Sequence, residues 1–247
     1  MVTLALYNLK GGVGKTAASI NLAYLSAKDN YRTLVWDLDP QGSSSFYLDV
    51  EASVKNESKK LLNSEMDLID AVQPTKYPNL SIIPADLSAR QADVLLSEMK
   101  QSKKKLHGLI AGLKKDFDVV ILDAPPGISL LHDNIFNAVD WILMPNIPTT
   151  LSIRSFETVL HYFEENDLDK EKLKCFFSMV DHRKNLHHET MSAFYKDYVF
   201  FKSYIPYLSD IEKMGTHQSP LETYAASSYA AQCYRDLWKE IKKNCID

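Results

Sequence analysis

The sequence predicts an α/β fold, a mostly parallel twisted sheet with helices on both faces. Three observations predict it. Short apolar runs alternate with longer helical stretches, a glycine loop joins a strand to a helix, and acids cap two of the strands. In such a sheet, ligands gather at the carboxyl ends of the strands.

Val2-Thr3-Leu4-Ala5-Leu6-Tyr7 is short and apolar, as a buried parallel strand should be. Thr16 to Lys28 then places Ile20, Ala23, Tyr24 and Ala27 at helical spacing, with no Gly or Pro inside. Further strands are expected at Thr33 to Trp36, Leu80 to Ile83, Val119 to Leu122, Trp141 to Met144, Cys175 to Met179 and Val199 to Ile205. Helical stretches are expected at Leu87 to Leu113, Ser152 to Glu165 and His187 to Tyr198. A closing helix, about Thr223 to Lys243, carries Tyr234, Leu237, Trp238 and Ile241 on one side. The polar stretch Val50 to Ser64 has the least pattern and reads as surface loop or short helix.

At 247 residues and 45% hydrophobic, the chain can bury a full core as a single domain, residues 1–247. No apolar run approaches the roughly 20 residues needed to span a bilayer, and the first strand leaves no room for a leader peptide. Three cysteines, odd in number and widely spaced, fit a reducing cytosol and offer no metal-ligand spacing. A net charge of −4 gives no global basic signature, so any nucleic-acid contact must come from a local patch.

The chemistry concentrates in three loops. Lys10-Gly11-Gly12-Val13-Gly14-Lys15-Thr16 lies between strand and helix, where backbone N–H groups and a helix N-terminus converge on an anion. Its glycines let the chain approach phosphate oxygens without a Cβ in the way. Lys15 supplies a charge for the β and γ phosphates, and the Thr16 hydroxyl is placed to ligate Mg²⁺. Leu9 stands where the usual phosphate-loop pattern has its first Gly, and a second lysine, Lys10, stands beside it. Asp37 and Asp39 follow the second strand, before Pro40 and Gly42 turn the chain out of the sheet. Asp123 caps four apolar residues, the design in which an acid reaches the Mg²⁺ shell and the next loop senses the γ-phosphate.

KGGVGKT, residues 10–16, resembles the deviant Walker A motif of the ParA/MinD family of P-loop ATPases. DLDPQGS, residues 37–43, resembles the family's switch I, and LDAPPG, residues 122–127, its switch II. The likeness continues through VDWILMPNIPTTLSIRSFE, SMVDHRKNLHHE and IPYLSDIEKMGTHQSPL, nearly the whole chain. The DLDPQG form and the VDHR segment look like the ParA branch, which segregates plasmids and chromosomes. The resemblance implies the P-loop NTPase fold of the deviant Walker A class. It implies a homodimer with ATP and Mg²⁺ sandwiched between protomers, slow hydrolysis to ADP, and a ParB-like centromere-binding partner that stimulates it.

Carried over by position, Lys10, Lys15 and Asp39 are the catalytic residues. Lys15 serves its own nucleotide, Lys10 reaches across to the partner's, and Asp39 orients the attacking water. Lys10, Gly11, Gly12, Val13, Gly14, Lys15, Thr16 and Ala17 line the nucleotide, whose base lies near Met179 and Pro206. Thr16, Asp37, Asp39 and Asp123 surround the metal. Ala17 departs from the family's usual second Thr, which removes a hydrogen bond worth about 1 kcal/mol.

ParA relatives bind DNA without sequence preference as ATP dimers. Arg183 matches one contacting position and Lys184 adjoins it. A second expected arginine is missing, since the chain reads Tyr207-Leu208-Ser209, and Lys202 and Lys213 are the compensating candidates. No helix-turn-helix extension precedes the loop, so operator-specific binding is not expected. The resemblance implies a bacterial cytoplasmic, nucleoid-associated protein. The alternative is a MinD-like membrane-associated ATPase, whose terminal amphipathic helix Trp238, Lys239, Ile241, Lys242 and Lys243 imitate superficially.

Overall fold

Among the described residues every strand but one enters the sheet in the same direction, and the central strands are buried on both faces by helices. The computed structural model describes residues 1–51, 57–99, 102–197 and 200–247. The strands are β1 (Val2–Leu6), β2 (Thr33–Asp37), β3 (Gln73–Pro74), β4 (Leu80–Ile83), β5 (Val119–Asp123), β6 (Trp141–Asn146), β7 (Leu173–Val180) and β8 (Phe200–Pro206). Among the described residues they form one sheet of eight, in the order β3-β4-β2-β5-β1-β6-β7-β8, with β3 antiparallel to β4. The predicted α/β class and its mostly parallel sheet are what is found.

The helices of the first half are α1 (Lys15–Lys28), α2 (Ser43–Leu48), α3 (Glu57–Leu62), α4 (Ala92–Ser97), α5 (Lys105–Ala111) and α6 (Leu130–Ala138). Those of the second are α7 (Thr150–Glu165), α8 (Asn185–Asp197), α9 (Ser209–Glu212), α10 (Met214–His217), α11 (Leu221–Tyr224) and α12 (Tyr229–Ile241). The strands sort their side chains between the two layers by period 2. Leu4, Leu6, Val119 and Ile121 pack in one core with Ile20 and Leu22 of α1 and Leu237 and Ile241 of α12. Ala5, Val120 and Leu122 face the other way, into a core with Ile135 and Phe136 of α6 and Phe163 of α7. Central strands therefore read as continuous apolar runs, which is why the sequence exposed them.

Two expected helices are broken. Leu87 to Leu113 contains a 3₁₀ turn at Leu87–Gln91, α4, a second 3₁₀ turn at Ser102–Lys104, and α5. The Asn134 side chain of α6 accepts from the Lys105 and Leu106 N–H groups and starts α5 afresh. Thr223 to Lys243 is likewise divided, because Ser228 caps the Ala231 N–H and opens α12 there. Residues 198 and 199, included in the expected α8 and β8 segments, lie outside the described residues. Val50 to Ser64 yields the short helix α3, with residues 52–56 also outside.

Order in the sheet reverses at β1, which lies between β5 and β6. Such a switch point opens a crevice at the strand carboxyl ends. The loops after β1, β2 and β5 all emerge there.

Candidate active site

The loop after β1 enters α1 through Gly14, whose φ of +90° L side chains rarely adopt. A Cβ on Gly14 would also meet the Ser178 hydroxyl of β7 at 2.8 Å. Gly12 is left-handed too, at φ +73°. Lys15 begins α1 with only 7% of its surface exposed, and its ammonium donates to the Lys10 carbonyl at 3.2 Å. Burial pulls the Lys15 pKa down, while the nearby Asp123 and Asp39 carboxylates push it back up. Its charge is thus held inside the loop and aimed at the space the loop encloses.

Lys10 is held differently. Its N–H donates to Asn8 Oδ1 at 2.9 Å, and the fully buried Asn8 amide reaches the Pro145 carbonyl and Asn146 Oδ1 at the end of β6. The Lys10 ammonium donates to the Leu151 carbonyl in the first turn of α7, at 2.7 Å. Among the described residues no carboxylate pairs with it.

Asp37 and Asp123 end β2 and β5 as register partners and are both buried. Asp37 accepts from the Ser45 N–H and hydroxyl at 2.9 and 2.8 Å and from the Asp39 N–H at 3.2 Å. Asp123 accepts from Ser19 Oγ at 3.0 Å and Ser44 Oγ at 2.8 Å. Burial, then repulsion from Asp123, pushes the Asp37 pKa up to about 7. Burial raises that of Asp123, against the Ser44, Thr16 and Ser19 hydroxyls. Asp39 is half-buried at the rim and accepts from the Gln41 N–H at 2.9 Å, which closes the turn beyond it.

The loop lysines, Thr16, Asp37, Asp39 and Asp123 therefore share the carboxyl edge. Met179 and Pro206 join it from β7 and β8, next to Ser178. Met179 takes a left-handed φ of +53° where the β7–β8 register is irregular. Arg183 and Lys184 lie beyond β7, at the entry to α8. Arg183 is 85% exposed on its side chain, but its guanidinium grips Asp181 through two contacts of 2.9 Å. That pairing, invisible in the sequence, offsets the charge expected to serve DNA. Sequence reasoning also missed Ser19, Ser44, Ser45 and Ser178. The serine run 43–45 directly after Gly42 was the available signal for two of them.

The family model described as an AAA domain matches residues 1–175. The sporulation initiation inhibitor protein Soj of Bacillus subtilis is 30% identical over 249 residues, covering 98% of both chains. The chromosome partitioning protein ParA of Myxococcus xanthus is 27% identical, over 97% of this chain and 87% of that one. In three dimensions, a structure described as a plasmid partition protein of Borrelia burgdorferi bound to AMPPNP superposes with a TM-score of 0.86. It is 17% identical over 98% of each chain, so it speaks for the fold alone. With its phosphate loop, second lysine and strand-end acids in place, the chain belongs to the ParA/MinD family of deviant Walker A P-loop ATPases, on the ParA branch.

Proposed function

We propose that this single-domain ATPase works as a ParA-like switch. Mg²⁺–ATP binds in the loop of residues 10–17, and two protomers close face to face around two nucleotides. The ATP dimer holds DNA without sequence preference. Hydrolysis to ADP, slow until a ParB-like centromere-binding partner stimulates it, releases the DNA and moves a plasmid or chromosome cargo. A cytoplasmic, nucleoid-associated location follows from that cycle.

The observation that carries this reading is the state of Lys10. An ammonium held only by a backbone carbonyl is not neutralised, so it is available to an anion outside its own subunit. Lys15, sealed inside the loop, serves the nucleotide of its own chain. A cation supplied from the second protomer stabilises charge that grows on the phosphate oxygens, and it ties hydrolysis to dimerisation.

The acid pair fits a divalent cation. Beyond burial, Asp123 raises the pKa of the Asp37 carboxyl beside it. The single Lys15 ammonium near Asp123 does not match the charge of two buried carboxylates, and Thr16 stands at the helix start beside them. Thr16 would ligate Mg²⁺ directly, with Asp37, Asp39 and Asp123 around its shell, and the ion would neutralise phosphate charge. Asp39, at the rim, would orient the water. Met179 and Pro206 would flank the base.

The membrane reading loses its main element. Tyr234, Leu237, Trp238 and Ile241 are buried in the core with α1. Trp238 Nε1 and Lys242 Nζ both donate to Asp29 at the end of α1. Among the described residues no helix is long and apolar enough to cross a membrane.

Light scattering on the Asp39→Ala variant tests the sandwich. Water positioning should be lost while nucleotide contacts remain, so the mass should double with ATP and Mg²⁺ and stay monomeric with ADP. A variant that remains monomeric at saturating ATP overturns the proposal.

A further inference from the structure

Two aromatic side chains outside the nucleotide motifs hold switch II in place. Tyr7, directly after β1 and fully buried, donates its hydroxyl to the Gly127 carbonyl at 2.9 Å. The Gly127 N–H donates to the Leu9 carbonyl at 3.1 Å. Both polar backbone groups of this one residue are thus tied to the segment that leads into the phosphate loop. Gly127 itself has φ +110°, a conformation that leaves little choice of residue.

His132, in the first turn of α6, holds the other side. It is buried, with Nε2 3.0 Å from the Pro125 carbonyl and Nδ1 3.0 Å from Ser129 Oγ. A carbonyl only accepts, so Nε2 carries the hydrogen and Nδ1 is left to accept the Ser129 hydroxyl. Burial lowers the His132 pKa and favours this neutral form. The Tyr7 ring packs against His132 at 5.3 Å and against Phe136 at 4.9 Å, so neither donor can turn freely. The turn between Asp123 and α6 is therefore bound at Pro125, Gly127 and Ser129.

We propose that Tyr7 and His132 are positioning residues for hydrolysis, holding the Pro125–Gly127 turn in register with the phosphate loop before nucleotide arrives. This rests on the reading of the loop after Asp123 as the one that senses the γ-phosphate. A preformed loop need not be ordered at the moment of reaction, so more bound nucleotide is in reactive geometry. Neither residue needs to touch the nucleotide, so the effect belongs in kcat and not in affinity.

The test compares Tyr7→Phe, His132→Gln and His132→Ala in the full chain, with ATP and Mg²⁺. Tyr7→Phe should lower kcat by about fivefold, the equivalent of one neutral hydrogen bond, with the ATP dissociation constant within about twofold. Backbone hydrogen exchange over residues 124–129 should speed up, while the strands of the sheet keep their protection. A Gln side chain can still donate to the Pro125 carbonyl, so His132→Gln should retain most of the rate that His132→Ala loses. Faster exchange with unchanged kcat overturns the proposal. Parallel loss of affinity, kcat and sheet protection also overturns it, because that is the mark of a merely structural pair. If the unaltered chain does not hydrolyse ATP at all, the function reading fails; unchanged exchange in Tyr7→Phe and His132→Ala would defeat the brace by itself.

Discussion

Asp37 and Asp123 face one another across neighbouring parallel strands, each buried and each receiving serine hydroxyls, with the Lys15 ammonium close to Asp123. The Asp37 pKa, raised to about 7, has a consequence for stability. A carboxyl raised in the folded state contributes its stability in full below the unfolded value, near 3.8, and loses it as pH climbs through 7. His132, lowered by burial, works in the opposite sense below its ordinary value, so the comparison must isolate Asp37. Between pH 5 and 8, in EDTA and without nucleotide, the wild-type chain should lose about 5 °C in Tm relative to Asp37→Asn. Parallel melting curves at every pH would refute the assignment. Mg²⁺ with nucleotide should flatten the wild-type profile and leave that of the variant unchanged.

The two lysines should separate by calorimetry. Lys15→Ala removes the buried ammonium bound to the Lys10 carbonyl, and ATP binding should disappear. Lys10→Ala removes one donor to the Leu151 carbonyl, which the Ser155 hydroxyl still serves at 3.0 Å, so affinity should stay within a few-fold while hydrolysis is lost. Equal loss of affinity in both variants would end the division of labour.

Gly14 should tolerate no side chain, for two separable reasons. Gly14→Ala places a Cβ 2.8 Å from Ser178 Oγ and strains a φ of +90°. Such strain costs about 1–3 kcal/mol. Adding Ser178→Gly removes the contact and leaves the strain, so the double variant should regain only part of the lost ATP affinity in titrations. Full recovery would assign the whole effect to the contact.

What the sequence made legible was chemistry written within a few residues. The phosphate loop, the acids at the ends of β2 and β5, and the apolar runs of the central strands need only local order to be seen. What stayed hidden depends on partners far along the chain. Ser19 meets Asp123, Lys10 meets the Leu151 carbonyl and Tyr7 meets Gly127 only after the sheet has formed. The break before α5 belongs to this class too, since its cap, Asn134, comes from another helix. Arg183 shows a different limit. Its partner is two residues away, yet only the fold of the turn before α8 decides that Asp181 and the guanidinium meet.

That pairing changes the expected DNA surface. Asp181 is held well below the usual carboxylate range by Arg183, so the ion pair is present throughout the physiological pH range. A phosphate must compete with Asp181 for Arg183, whereas Lys184 acts on Asp181 only through its charge and makes no salt bridge among the described residues. Lys213 is paired with Asp210, which leaves Lys184 and Lys202 as the less encumbered cations. If the ATP dimer makes about four phosphate contacts, log affinity should fall with log salt at a slope of about −4. Lys184→Ala should flatten that slope by about one to two, across all sequences alike, since a phosphate contact carries no base information. Asp181→Asn should strengthen binding by releasing Arg183, and Arg183→Ala should then cost more than it does in the unaltered chain. The measurement is a salt titration of ATP-dependent duplex binding, run beside sedimentation with anionic vesicles. Weaker DNA binding in Asp181→Asn would place Arg183 outside the contact surface. No DNA binding at all, with ATP-dependent recovery on vesicles, would move the chain to a membrane role in spite of its docked terminal helix.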